Sequence, residues 1–170
     1  MKSFITSLIV MTFMLVTSST PVLAESENLT VSIKRLTMDT ALRIARAAIT
    51  QCRKEGVQIA VTVIDRGGHP QVVLRDVLAM DITLPISKQK AHTAMAFNSV
   101  TSGLEGRFNK PYMVAKLDGL VIAAGGVPIN IGGNILGGIG VSGAPSGKTD
   151  EKCAMAGLKA VQEDLEMAGM

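Results

Sequence analysis

Nine glycines fall between Gly125 and Gly147, three times as adjacent pairs, in a stretch reading GGVPINIGGNILGGIGVSGAPSG. Glycine at that density permits positive φ and close backbone approach. Each pair punctuates a short β-branched run, which is the pattern of tightly turned strands. A helical pattern follows at once. The stretch reads as loop, strand, hairpin, strand, loop and helix.

The rest of the chain supplies partners for those strands. Thr37 offers a capping oxygen, and Ala41, Ile44, Ala45, Ala48, Ile49 and Cys52 recur at helical spacing, so a first helix is expected over 38–55, ended by Gly56. VQIAVTVID (57–65) is almost wholly apolar and reads as a strand buried on both sides. The turn Arg66–Pro70 returns it through QVVLRDV (71–77). A second helix is expected over 84–97, with Pro85 in its first turn and Thr83 as its cap. GLVIAAG (119–125) reads as a third central strand, a further hairpin follows, and Thr149 to Met167 forms the last helix. Hairpins require antiparallel neighbours, so the class is α+β, one sheet flanked by helices.

The N-terminus carries Lys2, an apolar run from Phe4 to Val16 and a small-x-small ending at Val22-Leu23-Ala24. That is the form of a cleaved export signal, too short to span a membrane comfortably. Cleavage after Ala24 leaves Glu25–Met170, about 146 of the 170 residues, as one domain in a periplasmic or secreted setting without a stable membrane anchor. The formal charge of +3 is scattered, and Phe97, Phe108 and Tyr112 are the aromatics beyond the signal. Nucleic-acid binding asks for a basic stripe or aromatic platforms, so that class is set aside. Cys52 and Cys153 form neither CxxC nor CxxCH, which excludes thioredoxin-like chemistry and covalent haem attachment. They either pair in an oxidising compartment or serve as two small buried residues.

Few constellations carry chemistry. SGAPSGKT (142–149) fails the phosphate-loop count, because only three residues separate Gly143 from Gly147 and Ser142 sits where glycine is needed. His69 and His92 are the two imidazoles and lack metal-site spacing. Asp65, Asp76 and Asp81 lie near strand ends, where such residues commonly cap turns, and no acid–base pair emerges from spacing. Met80, Met95 and Met113 offer soft sulfur but read first as core filler.

Four segments together resemble the GlcG/HbpS family, small haem-binding-domain proteins also found as the C-terminal domain of PduO-type proteins. They are LTMDTALRIARAAI…GVQIAVTVIDRGGHP, LRDVLAMD, SKQKAHTAMAF and AAGGVPINIGGNILGGIGVSGAPSGKTDEKCAMAGL, spread in order over roughly residues 36–162. The resemblance implies a profilin-like, five-stranded antiparallel sheet flanked by helices. It also implies homo-oligomers from dimer to octamer and, in some members, non-covalent haem. A family pocket near helix 84–97 would have Arg75 and Lys90 pair with haem propionates, Asp76 beside them, Thr93 and Phe97 in the lining, and Gly125 and Gly126 in close approach to the ligand, unless Arg75 and Asp76 instead form a structural ion pair or subunit contact. Some haem-binding members carry an axial histidine in the first helix, whereas residues 37–55 hold none. The iron ligand then falls to His92, with His69, Met95, Thr93 and Thr101 as alternatives. The leading expectation is an exported haem- or tetrapyrrole-binding homo-oligomer. Its rivals are a small-molecule enzyme using Asp65, Asp76 or His92, and a cofactor-free accessory protein of a periplasmic oxidation pathway.

Overall fold

The computed structural model describes residues 28–108 and 117–168. The chain divides after Ser32. Residues 28–32 are exposed and form neither helix nor strand. The unit beginning at Ile33 carries the elements described below. The expected signal segment, Tyr112 and Met113 lie outside the described residues.

Helix α1 spans Met38–Lys54 and is capped by Thr37, whose side chain accepts from the Thr40 N–H. Its buried residues are the six that the helical spacing singles out, Ala41 through Cys52. Gly56 follows with φ +75°, the left-handed conformation glycine tolerates after a helix. Strands β1 (Ala60–Asp65) and β2 (Pro70–Arg75) form the first hairpin, and β1 is buried along its whole length. Helix α2 spans Thr83–Phe97 and ends on Asn98 at φ +44°. A short 3₁₀ turn, Thr101–Leu104, precedes β3 (Gly126–Ile131), β4 (Asn134–Ser142) and α3 (Gly147–Met167).

The sheet order is β2-β1-β4-β3, antiparallel throughout, with Ala60 opposite Ser142 and Gly126 opposite Gly140. Helices α1 and α3 cover one face and α2 the other. The main core lies under α1 and α3, where Ile44, Ile59, Val61, Ile129, Ile139 and Val161 meet. The two helices run antiparallel. Arg43 near the start of α1 bonds Asp164 near the end of α3 at 2.6 Å, and Cys52 near the end of α1 is disulfide-bonded to Cys153 near the start of α3. The bridge resolves the open alternative for the cysteines in favour of pairing, with Cα atoms 5.5 Å apart.

Two glycines of β4, Gly138 and Gly140, seat α2. A Cβ on Gly140 would lie 1.8 Å from the Ser87 carbonyl oxygen, and one on Gly138 would lie 2.4 Å from that of Ala91. Helix backbone rests directly on strand backbone, with alanine and serine on one side and glycine on the other.

Two expectations are corrected. The sheet has four strands among the described residues, because 119–125 is irregular and not a strand. Its backbone donors are taken by side chains. Val121 N–H bonds Thr93 Oγ1 at 3.0 Å, Ala124 N–H bonds Glu105 Oε1 at 2.8 Å, and Gly125 N–H bonds Glu151 Oε2 at 3.3 Å. A chain whose N–H groups are so satisfied needs no ladder. Thr83, expected as a cap, lies inside α2, where its hydroxyl donates to the Met80 carbonyl at 2.5 Å.

Candidate ligand site

Residues of α2 three and four apart share a face, and 85, 88, 89 and 92 form its outer stripe while 87, 90, 91 and 94 face the sheet. The outer stripe and the β1–β2 turn enclose a groove of about 400 Å³ lined by Gly68, Pro85, Lys88, Gln89, His92 and Gly119. His92 is half-buried, and a Cβ on Gly68 (φ +83°) would lie 3.1 Å from its Cδ2. The turn therefore leans on the imidazole, with glycine giving both the positive φ and the room. Met95 Cε comes within 3.9 Å of the same point.

The site residues named from sequence do not converge on this groove. Of them, His92 lines it. Lys90 points the other way. Its ammonium is buried, donates to Asp150 Oδ2 at 2.9 Å and to the Val141 carbonyl at 3.1 Å, and cannot reach a ligand beside His92 without breaking both bonds. Arg75 and Asp76 lie across the sheet in a separate polar groove with Arg46, Thr50 and Arg53. There the buried Asp76 is paired with Arg53 and not with its neighbour Arg75, which donates to the Ala79 carbonyl.

Thr93 is fully buried, donates to the Gln89 carbonyl at 2.8 Å and receives the Val121 N–H. Thr101, also buried, receives the Gly126 N–H at 2.8 Å. Both hydroxyls are spent on backbone. Phe97 is half-buried against Phe108, ring centroids 5.5 Å apart. Gly125 and Gly126 admit the protein itself. Their Cβ positions lie 2.6 Å from the Val141 carbonyl oxygen and 2.4 Å from that of Lys90.

His69 is exposed in its turn, with Nδ1 3.4 Å from Asp65 Oδ1. The Asp65 carboxylate accepts the N–H groups of His69 at 3.0 Å and Gly67 at 2.8 Å. The His69 N–H bond foremost, then that of Gly67, holds its pKa below the usual carboxylate value against the opposing effect of burial. Asp65 is thus a turn cap, as its position suggests. Asp81 is exposed in the bend before α2.

Sequence reading missed the Lys90–Asp150 pair. Sixty residues separate the two, and no spacing rule joins them. Burial pushes the Asp150 carboxyl up from its ordinary pKa, while the Ala144 N–H and the Lys90 ammonium pull it down less strongly.

Among the described residues, no group of three or more His, Cys, Asp or Glu side chains is placed to hold a metal ion. A haem iron brings its own pyrrole nitrogens and asks the protein for one or two axial ligands, which a lone histidine can meet. A half-exposed imidazole over a groove floored by proline and glycine, with a lysine at its rim, fits such a group.

Fold and groove together define a small helix–sheet–helix domain with a surface groove beside α2. The family described as haem degrading protein HbpS-like matches residues 36–159, and the chain belongs to it. A double mutant of HbpS from Streptomyces reticuli is 37% identical, with a TM-score of 0.74, and the match covers 85% of this chain and 98% of that one. Protein GlcG of Escherichia coli K12 is 32% identical over 110 residues, 63% of this chain and 81% of that protein. The structure of a PduOC:heme complex shares the fold at 24% identity and a TM-score of 0.67, over 75% of this chain and 95% of that one.

Proposed function

We propose that this protein binds haem or a related tetrapyrrole non-covalently in the groove beside α2, with His92 as the iron ligand. The observation that carries the reading is the half-buried imidazole lining that groove, in a chain of the HbpS-like family. Lys88, on the same stripe, takes the propionate-pairing role, because the Lys90 ammonium is committed to Asp150. When bound, haem supplies the redox-active iron, and the protein supplies its orientation and one nitrogen. His92 presents a ring held by the Gly68 turn. Gly119 and Pro85 give the flat apolar contact a macrocycle needs.

The working form is an exported homo-oligomer. The export signal ahead of Ala24 and the buried disulfide both suit an oxidising compartment. Val73, Val77, Leu78, Met80 and Ile82 stand exposed around β2 and the approach to α2, an apolar surface that association would cover. Intact mass of exported protein beginning at Glu25, and a light-scattering mass above that of one chain, are the expected results.

The deciding experiment is a haemin titration followed in the Soret band. Wild-type protein gives a saturable shift. His92→Ala weakens binding at least tenfold, about 1.4 kcal/mol, or moves the maximum. His69→Ala does neither. Unchanged affinity and spectra in His92→Ala defeat the assignment of the ligand.

A further inference from the structure

An imidazole that ligates a metal is normally aimed by a hydrogen bond from its second nitrogen to a carboxylate or a carbonyl. The half-buried His92 ring makes no hydrogen bond or ion pair among the described residues. The helix fixes where the side chain starts, and packing alone must fix where the ring points. What packs on it is the β1–β2 turn. A Cβ on Gly68 would lie 3.1 Å from His92 Cδ2 and 3.6 Å from Nε2, and the Met95 methyl comes within 3.9 Å of the same point.

The turn is in turn held by one residue. Three consecutive amides donate to Asp65. The N–H groups of Gly67 and His69 reach its Oδ1 at 2.8 and 3.0 Å, and that of Gly68 reaches its main-chain carbonyl at 3.0 Å. The Asp65 N–H closes the turn by donating to the His69 carbonyl at 2.9 Å. Asp65 is itself buried, at the end of a strand buried along its whole length. The position of Gly68 is therefore referred to the core of the sheet and not to solvent. Oδ1 takes both side-chain bonds, whereas Oδ2 stands 3.6 Å from Arg35. The amide-holding and charge-pairing functions of the carboxylate thus fall on different oxygens.

We infer that Asp65 is a positioning residue for His92. By holding the amides of residues 67–69 it holds Gly68 against the ring, and so supplies the orientation that a hydrogen bond to the second nitrogen supplies in other sites. The inference rests on the reading of His92 as the iron ligand, but the placement of the ring can be measured without haem.

Two measurements on the full exported chain test it. The first is the NMR signal of the His92 Cδ2–H in the haem-free protein, assigned by its loss in His92→Ala. The second is haemin titration. Asp65→Ala should displace the ring signal and weaken haemin by about tenfold, the lower end of what losing the support of a metal ligand costs. Asp65→Asn keeps an oxygen for both amides and should leave ring signal and affinity near wild type. Gly68→Ala should displace the ring directly. Gly133→Ala, at φ +82° in the other hairpin and facing open space, should not. If Asp65→Ala does not fold, Asp65→Glu, which moves the acceptor by one methylene, should displace the signal in its place. An unmoved ring signal in Asp65→Ala overturns the inference, as does an Asp65→Asn protein as impaired as Asp65→Ala, or a Gly133→Ala protein as displaced as Gly68→Ala. Failure of wild type to bind haemin would defeat the iron assignment alone, and the ring signals would still decide the role of Asp65.

Discussion

Replacing Gly140 by alanine tests the claim that glycine in β4 exists to seat α2. The new methyl would stand 1.8 Å from the Ser87 carbonyl oxygen and 2.5 Å from the Ala91 nitrogen, whereas ordinary contact begins near 3.4 Å. The helix backbone must therefore retreat by about 1.6 Å, the difference between the first and last of these. A gap of ~0.5–1 Å already forfeits a quarter to a half of each dispersion contact. The inner stripe of Ser87, Ala91 and Ala94 would lose more than that against the sheet. Overpacking alone costs about 1–3 kcal/mol, and the lost contacts bring the total to about 3–5 kcal/mol. For a domain of this size that lowers the Tm by roughly 10–15 °C. Gly140 has no positive φ, so the cost comes from close approach. Gly133 is the control: its φ is +82° with open space around it, so alanine there costs only the backbone strain, about 1 kcal/mol. Thermal melts by circular dichroism, with urea titrations alongside, read both variants. A Gly140→Ala protein that melts within about 3 °C of wild type, or above Gly133→Ala, refutes the reasoning.

The Cys52–Cys153 bridge spans a sequence separation of 101, so loop-closure entropy assigns it about 4.7 kcal/mol; the double alanine variant should lose roughly that in urea unfolding, and a loss under about 1 kcal/mol would show a denatured state already compact. Asp65 has a lowered folded pKa, so its contribution is complete above the unfolded value of about 3.9 and fades as pH falls through the folded one. Asp65→Asn should therefore be less stable than wild type at pH 7, and the difference should shrink in acid; a difference that grows toward about pH 2.5 contradicts the assignment. Thr93→Val removes the acceptor of the Val121 N–H, and about 1–3 kcal/mol of stability should go with it. Hydrogen exchange at Val121 should accelerate more than at Ile129 in β3, and equal acceleration at both would mean global unfolding instead.

Much of the scaffold was legible from local pattern. The six apolar positions of α1, the uniform run of β1 and the Gly132–Gly133 turn each encode their element within a few residues, because helix and strand periods are local properties of a chain. The family likeness rests on such segments in order. Segment 119–125 shows where local pattern stops deciding the structure. GLVIAAG has strand composition, yet Thr93, Glu105 and Glu151, distant in sequence, hold its amides away from any ladder.

The site divides the same way. That His92 would share a helix face with residues 85, 88 and 89 followed from its place in α2, since that stripe is set by helical geometry. That Lys90, two positions away, would turn inward was equally periodic, but its partner was not. An ion pair across 60 residues depends on where α3 begins relative to the sheet, which only tertiary packing decides. Likewise the sequence by itself marked the glycine pairs as places of close approach, and only the assembled layers determined what approaches. The space above Gly126, Gly138 and Gly140 is taken by the backbone of α2, because burying helix against sheet at backbone distance leaves no room there for a ligand.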